Sequence, residues 1–284
     1  MQESELILNP DGSVYHLAVL PEDIAKTIIT VGDPNRVKIV SQYFDDVEVI
    51  KSNREFVIHT GTYKGKAITC LSTGMGTDNI DIVLNELDAL FNIDLKSRTL
   101  KTEHTSLTIV RIGTSGSMNN EVPIGTVIAT EIAIGLESLF AWYKLPDPTP
   151  KEAAWLNKLA YKELPIKPYV FEADASLIDT FSKIFTSGVT VTTGGFYSPQ
   201  NRKLRLSPST DVIAELGDLH VNGRRITNIE METAGIYGLC KLLGHKSISI
   251  NAIMANRLSG EFASNPEQIM SSTIQKTLDI LCKL

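Results

Sequence analysis

The chain has 284 residues, of which 43% are hydrophobic and 21% charged, the composition of an ordinary globular protein. Its formal net charge of −6 argues against nucleic acid or an acidic membrane surface as a partner, so an anionic ligand would have to be held by local arginines. No run of about 18 apolar residues occurs, which argues against a membrane-spanning helix.

Cysteine usage and the first residues indicate the compartment. Cys70, Cys240 and Cys282 are widely spaced and form no C-x-x-C pair, so a reduced setting is favoured over a disulfide framework. The sequence Met-Gln-Glu-Ser-Glu at the start is acidic and lacks the apolar core of a signal peptide. We therefore expect a cytoplasmic protein.

Hydrophobic periodicity and turn residues place strands and helices along the whole chain. Residues 1–20 are expected to form an irregular arm. In chain order the patterns predict a strand at 27–31, a helix at 37–44, strands at 55–61 and 66–72, a helix capped at Asp78-Asn79, a loop at 92–106, strands at 107–112 and 125–130, a loop with a short helix at 143–165, a strand at 188–193, a helix at 231–243, a strand at 246–253 and a helix at 266–283. With no composition break and no repeat, residues 1–284 are predicted to form one α/β domain around a mixed sheet flanked by helices.

Two glycine-containing segments carry arginines that could bind a phosphate. In Gly32-Asp33-Pro34-Asn35-Arg36, the glycine lets a backbone N–H approach an oxyanion and Arg36 can add a bidentate contact. In the segment 111–116, Arg111 ends an apolar strand, Thr114 supplies a hydroxyl and Gly116 leaves the backbone open. Alternatively, Arg36 is a surface residue of a strand-to-helix turn, and Arg111 belongs to a structural salt bridge.

Two further segments could read a nucleoside. Gln200 and Arg202 present an amide and a guanidinium two residues apart, a donor and acceptor set suited to the edge of a planar imide such as uracil. Glu230 and Glu232 flank Met231, and a carboxylate there could bind sugar hydroxyls. The alternatives are a solvated turn for the first pair and helix N-terminal carboxylates for the second. His16 and Arg54 considered alone indicate only surface residues.

Common motifs of other chemistries are absent. The sequence contains no G-x-x-x-x-G-K-[ST], G-x-G-x-x-G, H-E-x-x-H or G-x-S-x-G pattern. Its five histidines are too scattered along the chain to indicate a metal site.

Taken in order, these segments resemble the nucleoside phosphorylase family, in particular its uridine-cleaving branch. The matching residues are Gly32-Asp33-Pro34-x-Arg36, Arg54-Glu55-Phe56, Arg111-Ile-Gly-Thr114-x-Gly116, Phe196-Tyr197-x-x-Gln200-x-Arg202, Glu230-Met231-Glu232 and Asn256-Arg257. The resemblance runs from about residue 16 to the C-terminus. It implies a central mixed sheet that is partly barrel-like, and phosphorolysis of uridine, with 2′-deoxyuridine or thymidine as further substrates to be tested.

The resemblance also implies a role for each matching residue. Phosphate, as the co-substrate, would be held by Gly32, Arg36, Arg111 and Thr114, and by Arg54 from a neighbouring subunit. The ribose would be held by Glu232, Glu230 and Met231, and by His16 across a dimer interface. The base would be held by Phe196, Gln200, Arg202, Gly116 and Arg257, the last in place of the aspartate of purine-cleaving relatives. No organic cofactor, nucleic acid or membrane is implied as a partner.

Assembly and a bound cation are the remaining expectations from the resemblance. A homodimer is the minimal unit and a homohexamer the expected assembly. Some relatives hold potassium through a glutamate in the position of Glu55, although here Met75 and Asn79 replace the isoleucine and serine of the second element of that site. Ser198-Pro199 and the segment 92–106 also depart from the usual pattern. Three alternatives remain: a phosphorylase for another base, a nucleosidase that uses water, or a nucleoside-binding protein without catalysis.

Overall fold

The computed structural model describes residues 1–284 and contains thirteen strands and seven α-helices. The strands are β1 (Thr27–Val31), β2 (Asp46–Asn53), β3 (Phe56–Tyr63), β4 (Lys66–Ser72), β5 (Ile93–Asp94), β6 (Thr99–Leu100), β7 (Thr108–Ser117), β8 (Val127–Leu136), β9 (Tyr169–Glu172), β10 (Thr186–Thr193), β11 (His220–Val221), β12 (Arg224–Glu230) and β13 (Lys246–Asn256). The helices are α1 (Pro34–Ser41), α2 (Thr77–Asn92), α3 (Pro150–Leu159), α4 (Ala175–Phe181), α5 (Val212–Gly217), α6 (Thr233–Leu243) and α7 (Pro266–Leu281).

Eleven strands form one mixed sheet, in the order β11-β12-β10-β8-β13-β7-β1-β4-β3-β2, with β9 paired to β8. In addition β12 pairs with β7, through Asn228 opposite Ser117 and Ile229 opposite Gly116. This second pairing closes β7, β13, β8, β10 and β12 into a barrel, from which β1, β4, β3 and β2 extend as an open sheet. The prediction of a mixed sheet that is partly barrel-like is confirmed.

Helices cover both faces of the open part of the sheet. On β1, Ile28 packs into a cluster with α2 and α6, whereas its neighbour Ile29 packs into a second cluster with α1, α4 and α7. Successive side chains of a strand point to opposite faces, so the unbroken run of β-branched residues in β1 is the pattern of a strand buried on both sides. A third cluster, around Trp155 and Leu216, joins α3 and α5 to the barrel.

The N-terminal segment 1–20 lies against the core, although it forms no helix. Val14, Leu17 and Val19 are fully buried in the cluster beneath α2. The surface residues between them are thereby held in fixed positions. No helix of the chain is both long enough and apolar enough to cross a bilayer.

Several boundaries differ from the sequence predictions for identifiable reasons. Helix α1 begins three residues earlier than expected, since Pro34 occupies its first turn and the Asp33 carboxylate accepts the Asn35 N–H at 2.9 Å. Helix α2 begins at Thr77 behind Gly76, so the predicted cap at Asp78-Asn79 is wrong. Strand β7 continues to Ser117 instead of turning at Gly113. The predicted loop 92–106 contains the short β5–β6 hairpin.

Candidate active site

Arg111 is the central charge of the site. It lies on β7, is 6% exposed, and folds back over Gly113, where a β-carbon would lie 1.8 Å from its Nη1. Its Nη1 donates to Oδ1 of Asn251 on β13 at 2.6 Å, and its Nη2 donates to Oε2 of Glu232 and lies 3.2 Å from Oε2 of Glu230. Burial opposes this charge, but the two carboxylates outweigh it and raise the pKa of Arg111.

The two glutamates at the end of β12 have different partners. Glu230 accepts the Thr192 hydroxyl at 2.6 Å and the backbone N–H groups of Glu232 and Thr233 at 3.0 Å, so its carboxylate holds the start of α6. These are the contacts expected of a helix N-terminal carboxylate, the alternative considered for this pair. Glu232 instead accepts the Gly76 N–H at 2.7 Å. Burial raises the pKa of Glu232, whereas the Arg111 charge lowers it.

Arg36 forms the second positive charge beside Arg111. It follows Gly32 and lies in the first turn of α1. It makes no ion pair with a carboxylate, and burial, followed by the Arg111 charge, lowers the pKa of Arg36. Two guanidinium groups that repel each other, with one unpaired, form a place where an anion binds favourably. Thr114 is half-buried on the same strand as Arg111.

The side chains expected to read a base come together around Gln200. Arg202 donates through Nη1 to Oε1 of Gln200 at 2.6 Å, and its guanidinium lies 3.6 Å from the centre of the Phe196 ring. Arg257 donates through Nη2 to the carbonyl of Gln200 at 3.2 Å. Burial, followed by the charge of Arg257, lowers the pKa of Arg202 to about 10. Gln200 is 2% exposed, so the alternative of a solvated turn does not hold for it.

Gly116 provides the space that Arg257 occupies. A β-carbon on Gly116 would lie 2.9 Å from Cδ of Arg257 and 3.0 Å from its Cγ. The Nε of Arg257 is buried without a hydrogen-bond partner. Since an unsatisfied buried donor is costly, this guanidinium is suited to a ligand acceptor.

Glu230 connects the two groups of side chains. Its backbone carbonyl accepts Nε2 of Gln200 at 3.4 Å, while its carboxylate contacts Arg111. The segments around 111, 200 and 230, which are far apart in the sequence, therefore meet at one end of the barrel. Met231 lies between them and is half-buried.

His16 and Arg54 lie near each other at the surface, since both contact the ring of Tyr15. Nδ1 of His16 is 2.6 Å from Oε1 of Glu86, and the His16 carbonyl accepts Nδ2 of Asn53 at 2.8 Å. Arg54 is exposed in the β2–β3 turn, with φ of 54°, and its guanidinium lies 5.4 Å from the centre of the Tyr15 ring. None of the contacts of either residue is with Arg111, Gln200 or Glu232 of the same chain.

The glutamate expected at a potassium site lies beside α2. A β-carbon on Gly74 would be 3.4 Å from Cγ of Glu55 and 2.4 Å from Nδ2 of Asn79, so both side chains face the same turn. Met75 is 77% exposed in that turn. The Glu55 side chain and the Asn79 amide therefore border the same turn.

Three residues of the site were missed by the sequence reasoning. Asn251 is fully buried and holds Arg111, Gly76 holds Glu232, and Glu137 accepts the Thr77 hydroxyl at 2.8 Å at the start of α2. A signal existed for Asn251, because Ser247, Ser249 and Asn251 alternate with isoleucines, and this polar alternation faces the barrel interior. Nothing in the local sequence distinguishes Gly76 or Glu137.

Two histidines and an aspartate form a cluster outside this site. The ligating atoms of Asp88, His104 and His245 lie within 4.8 Å of one another, although these residues are far apart in the sequence. Nδ1 of His245 accepts the Leu107 N–H at 3.3 Å, and its Nε2 lies 3.3 Å from Oδ1 of Asp88. Nε2 of His245 is buried and makes no hydrogen bond, in spite of its position near the Asp88 carboxylate.

Comparisons with known proteins show the family to which the chain belongs. The family described as the phosphorylase superfamily matches residues 26–284. A uridine phosphorylase of Thermococcus kodakarensis is 29% identical over 273 residues, which cover 96% of this chain and 88% of that protein. A DeoD-type purine nucleoside phosphorylase of Vibrio parahaemolyticus is 26% identical over 89% of this chain and 91% of that protein. The crystal structure of a Trypanosoma brucei nucleoside phosphorylase, which shows uridine phosphorylase activity, superposes with a TM-score of 0.91 at 28% identity, covering 98% of this chain and 100% of that one.

Proposed function

Since this chain belongs to the phosphorylase superfamily, we propose that it is an enzyme that cleaves uridine with inorganic phosphate to give uracil and α-ribose 1-phosphate. One observation carries the proposal: Arg111 and Gln200 both contact Glu230, the first at its carboxylate and the second at its carbonyl. Arg36 lies beside Arg111, and Arg202 is hydrogen-bonded to Gln200. The name of the Thermococcus relative and the activity of the Trypanosoma protein support the choice of uridine. The proposed role is the recovery of uracil from pyrimidine nucleosides.

Phosphate binds between Arg36 and Arg111 in this proposal. Gly32 offers its backbone N–H and Thr114 its hydroxyl, and the partner subunit's Arg54 completes the charge. The unpaired state of Arg36 supports this assignment, because a bound dianion would relieve its repulsion with Arg111.

Glu232 binds the ribose hydroxyls, with Met231 packed on the sugar. The Glu232 carboxylate is held at both oxygens, by Gly76 and Arg111, and each oxygen keeps a further lone pair for a hydroxyl donor. Glu230, which is also expected at the ribose, fixes the backbone of Glu232. The partner subunit's His16 contacts the 5′-hydroxyl, with Nε2 free because Nδ1 faces Glu86.

The uracil ring lies against Phe196 and is read by Gln200 and Arg202, with Arg257 beyond them over Gly116. The bond to C1′ breaks with positive charge developing on the sugar and negative charge on the base. Phosphate below C1′ stabilises the first charge, and the amide and guanidinium groups stabilise the second. No acid is required to protonate the base as it leaves. Inversion at C1′ follows from attack by phosphate on the face opposite the base.

Assembly and a bound cation are also part of the proposed function. The absence of any contact from His16 or Arg54 to Arg111, Gln200 or Glu232 of the same chain supports a site completed by a second copy. We infer a homodimer as the minimal unit and a homohexamer as the assembly. Glu55 contributes to a potassium site near the turn at Gly74, with the Asn79 amide beside it.

Phosphate dependence with two nucleosides tests the proposal. The purified protein is incubated with uridine or inosine, with and without phosphate, and released base is measured. Uracil release that requires phosphate, with inosine at least tenfold slower, is expected. Faster release from inosine would indicate a purine phosphorylase, the activity named for the Vibrio relative. Release without phosphate would indicate a nucleosidase, and thermal stabilisation by uridine without release would indicate a binding protein.

A further inference from the structure

Glu137 is a buried carboxylate outside the groups that face the nucleoside in the proposal above. It follows the last residue of β8 and is 8% exposed. It accepts three hydrogen bonds, from the Thr77 hydroxyl at 2.8 Å, from the Leu139 N–H at 2.7 Å and from the Tyr169 hydroxyl. A carboxylate only accepts hydrogen bonds, so it is the side chain that matches three converging donors.

The Thr77 hydroxyl connects Glu137 to the start of α2. Gly76, the residue before Thr77, donates its N–H to Oε1 of Glu232 at 2.7 Å. This turn has little stiffness of its own, because Gly74 and Gly76 have φ values of 69° and 91° and no side chain caps the helix. The position of the Gly76 N–H therefore depends on what holds Thr77.

Thr77 is held from two sides. A β-carbon on Gly235 of α6 would lie 2.7 Å from the Thr77 methyl group, so this methyl packs directly on the α6 backbone. The Glu137 carboxylate holds the hydroxyl on the other side. Helix α6 begins immediately after Glu232, and Gly76 immediately precedes α2. The two contacts of Thr77 therefore hold the start of α2, with the Gly76 N–H, close to the start of α6, with the Glu232 carboxylate.

We propose that Glu137 is a positioning residue, which acts through Thr77 to keep the Gly76 N–H against Glu232 and so orients the carboxylate that binds the ribose. The inference rests on the proposed function of Glu232. Arg111 is also held by Asn251 and Glu230, so loss of this hydrogen-bond chain affects nucleoside binding more than phosphate binding. A negative charge near the N-terminus of α2 is also favoured by the helix dipole.

Steady-state kinetics of Glu137→Gln, Thr77→Val and Thr77→Ser test this inference. The amide of Glu137→Gln presents a donor to a site that has three donors, and Thr77→Val keeps the shape of threonine but not its hydroxyl. Both variants are expected to raise KM for uridine about tenfold, the value of roughly one buried hydrogen bond, and to change KM for phosphate less than threefold. Thr77→Ser keeps the hydroxyl and should stay within twofold of the wild type. The double variant Glu137→Gln/Thr77→Val should be no worse than either single one.

Glu152→Gln is the matched control, because Glu152 is a buried glutamate that caps α3 and pairs with Lys241 away from the site. It should lower the melting temperature and leave both KM values unchanged. A wild-type KM for uridine in Thr77→Val, equal increases in both KM values, or a Thr77→Ser variant as impaired as Thr77→Val would each overturn the inference. A wild-type protein that does not cleave uridine with phosphate would instead reject the proposed function itself.

Discussion

Arg111 donates a hydrogen bond directly to Glu232, so the side chain assigned to phosphate and the side chain assigned to ribose form one buried ion pair. Arg36, the other arginine assigned to phosphate, makes no ion pair with a carboxylate. The two arginines, which bind the same ligand in the proposal, therefore differ in what they contribute to the folded protein.

Substituting each arginine by methionine should separate these contributions. Arg111→Met leaves Glu230 and Glu232 buried without their cation and should lower the free energy of unfolding in urea by about 3–5 kcal/mol. Arg36→Met removes a charge that burial and Arg111 already disfavour, so stability should be unchanged or higher. Its kcat/KM for phosphate should still fall about 30-fold or more. Equal losses of stability in both variants would contradict this difference.

Arg202→Ala should lose uridine cleavage and keep the fold. One lost donor aimed at developing charge costs about 10²–10³ in rate, and Arg202 lies half-buried in a loop, outside the core clusters. Arg205→Ala, an exposed arginine of the same loop, is the matched control and should retain wild-type turnover. Normal turnover by Arg202→Ala would reject its role in reading the base.

Hydrophobic periodicity in the sequence identified the strands and helices with a regular apolar pattern and missed those without one. The β3–β4 hairpin, α6 and α7 were predicted within a few residues, because each combines an apolar stripe or alternation with a turn residue at its end. Strand β2 was missed because its side chains are largely exposed, and β12 because it begins with Arg224-Arg225. The pairing of β12 with β7 depends on contacts over more than 100 residues, which no local pattern encodes.

The candidate site was predictable in its side chains but not in their partners. Arg111, Gln200 and Glu232 stood out as polar groups beside apolar strands or glycine turns. The partners of Arg111 are 121 and 140 residues away in sequence, so Asn251 could not be assigned to it. Gly113 and Gly116 were taken for a turn, whereas they lie within β7 and make room for the side chains of Arg111 and Arg257.

The close approach of Arg257 to Gly116 leads to a paired substitution. Gly116→Ala places a β-carbon 2.9 Å from Cδ of Arg257, so the guanidinium must leave the Gln200 carbonyl. We expect kcat/KM for uridine to fall by at least tenfold and the melting temperature to drop. Adding Arg257→Ala removes the clash and should restore the melting temperature without restoring activity. Additive losses of stability in the double variant would show that the strain lies elsewhere.

Mixing two inactive variants tests whether sites are shared between subunits. Arg54→Ala damages the site of the partner, and Arg202→Ala damages the site of its own chain. Mixed oligomers formed by refolding the two together should regain activity, because one site of each mixed dimer has both residues intact. Sedimentation should show at least a dimer. Activity in an Arg54→Ala protein alone, or in a monomer, would contradict the shared site.

His59 should make the protein sensitive to mild acid. Burial, followed by the charge of Lys38, lowers the pKa of His59 below its ordinary 6.5, and its Nδ1 contacts the Ser41 hydroxyl at 2.7 Å. As pH falls below 6.5, the unfolded chain binds a proton that the folded chain refuses, so stability decreases until the lower folded pKa is reached. Urea unfolding at pH 7.5 and 5.5 should show that the free energy of unfolding decreases less between these pH values for His59→Gln than for the wild type. Equal losses would exclude this contribution.

The barrel is closed between β12 and β7 by two residue pairs, Asn228 with Ser117 and Ile229 with Gly116. Ile229 precedes Glu230, and its opposite residue is the glycine under Arg257. A ligand that contacts both strands therefore also stabilises this closure of the barrel. A fluctuation that separates β12 from β7 moves the ligand-binding residues on the two strands away from each other. Binding affinity and the rigidity of the barrel then both depend on the opening and closing of the β12–β7 pairing. Selection for one of these properties therefore affects the other.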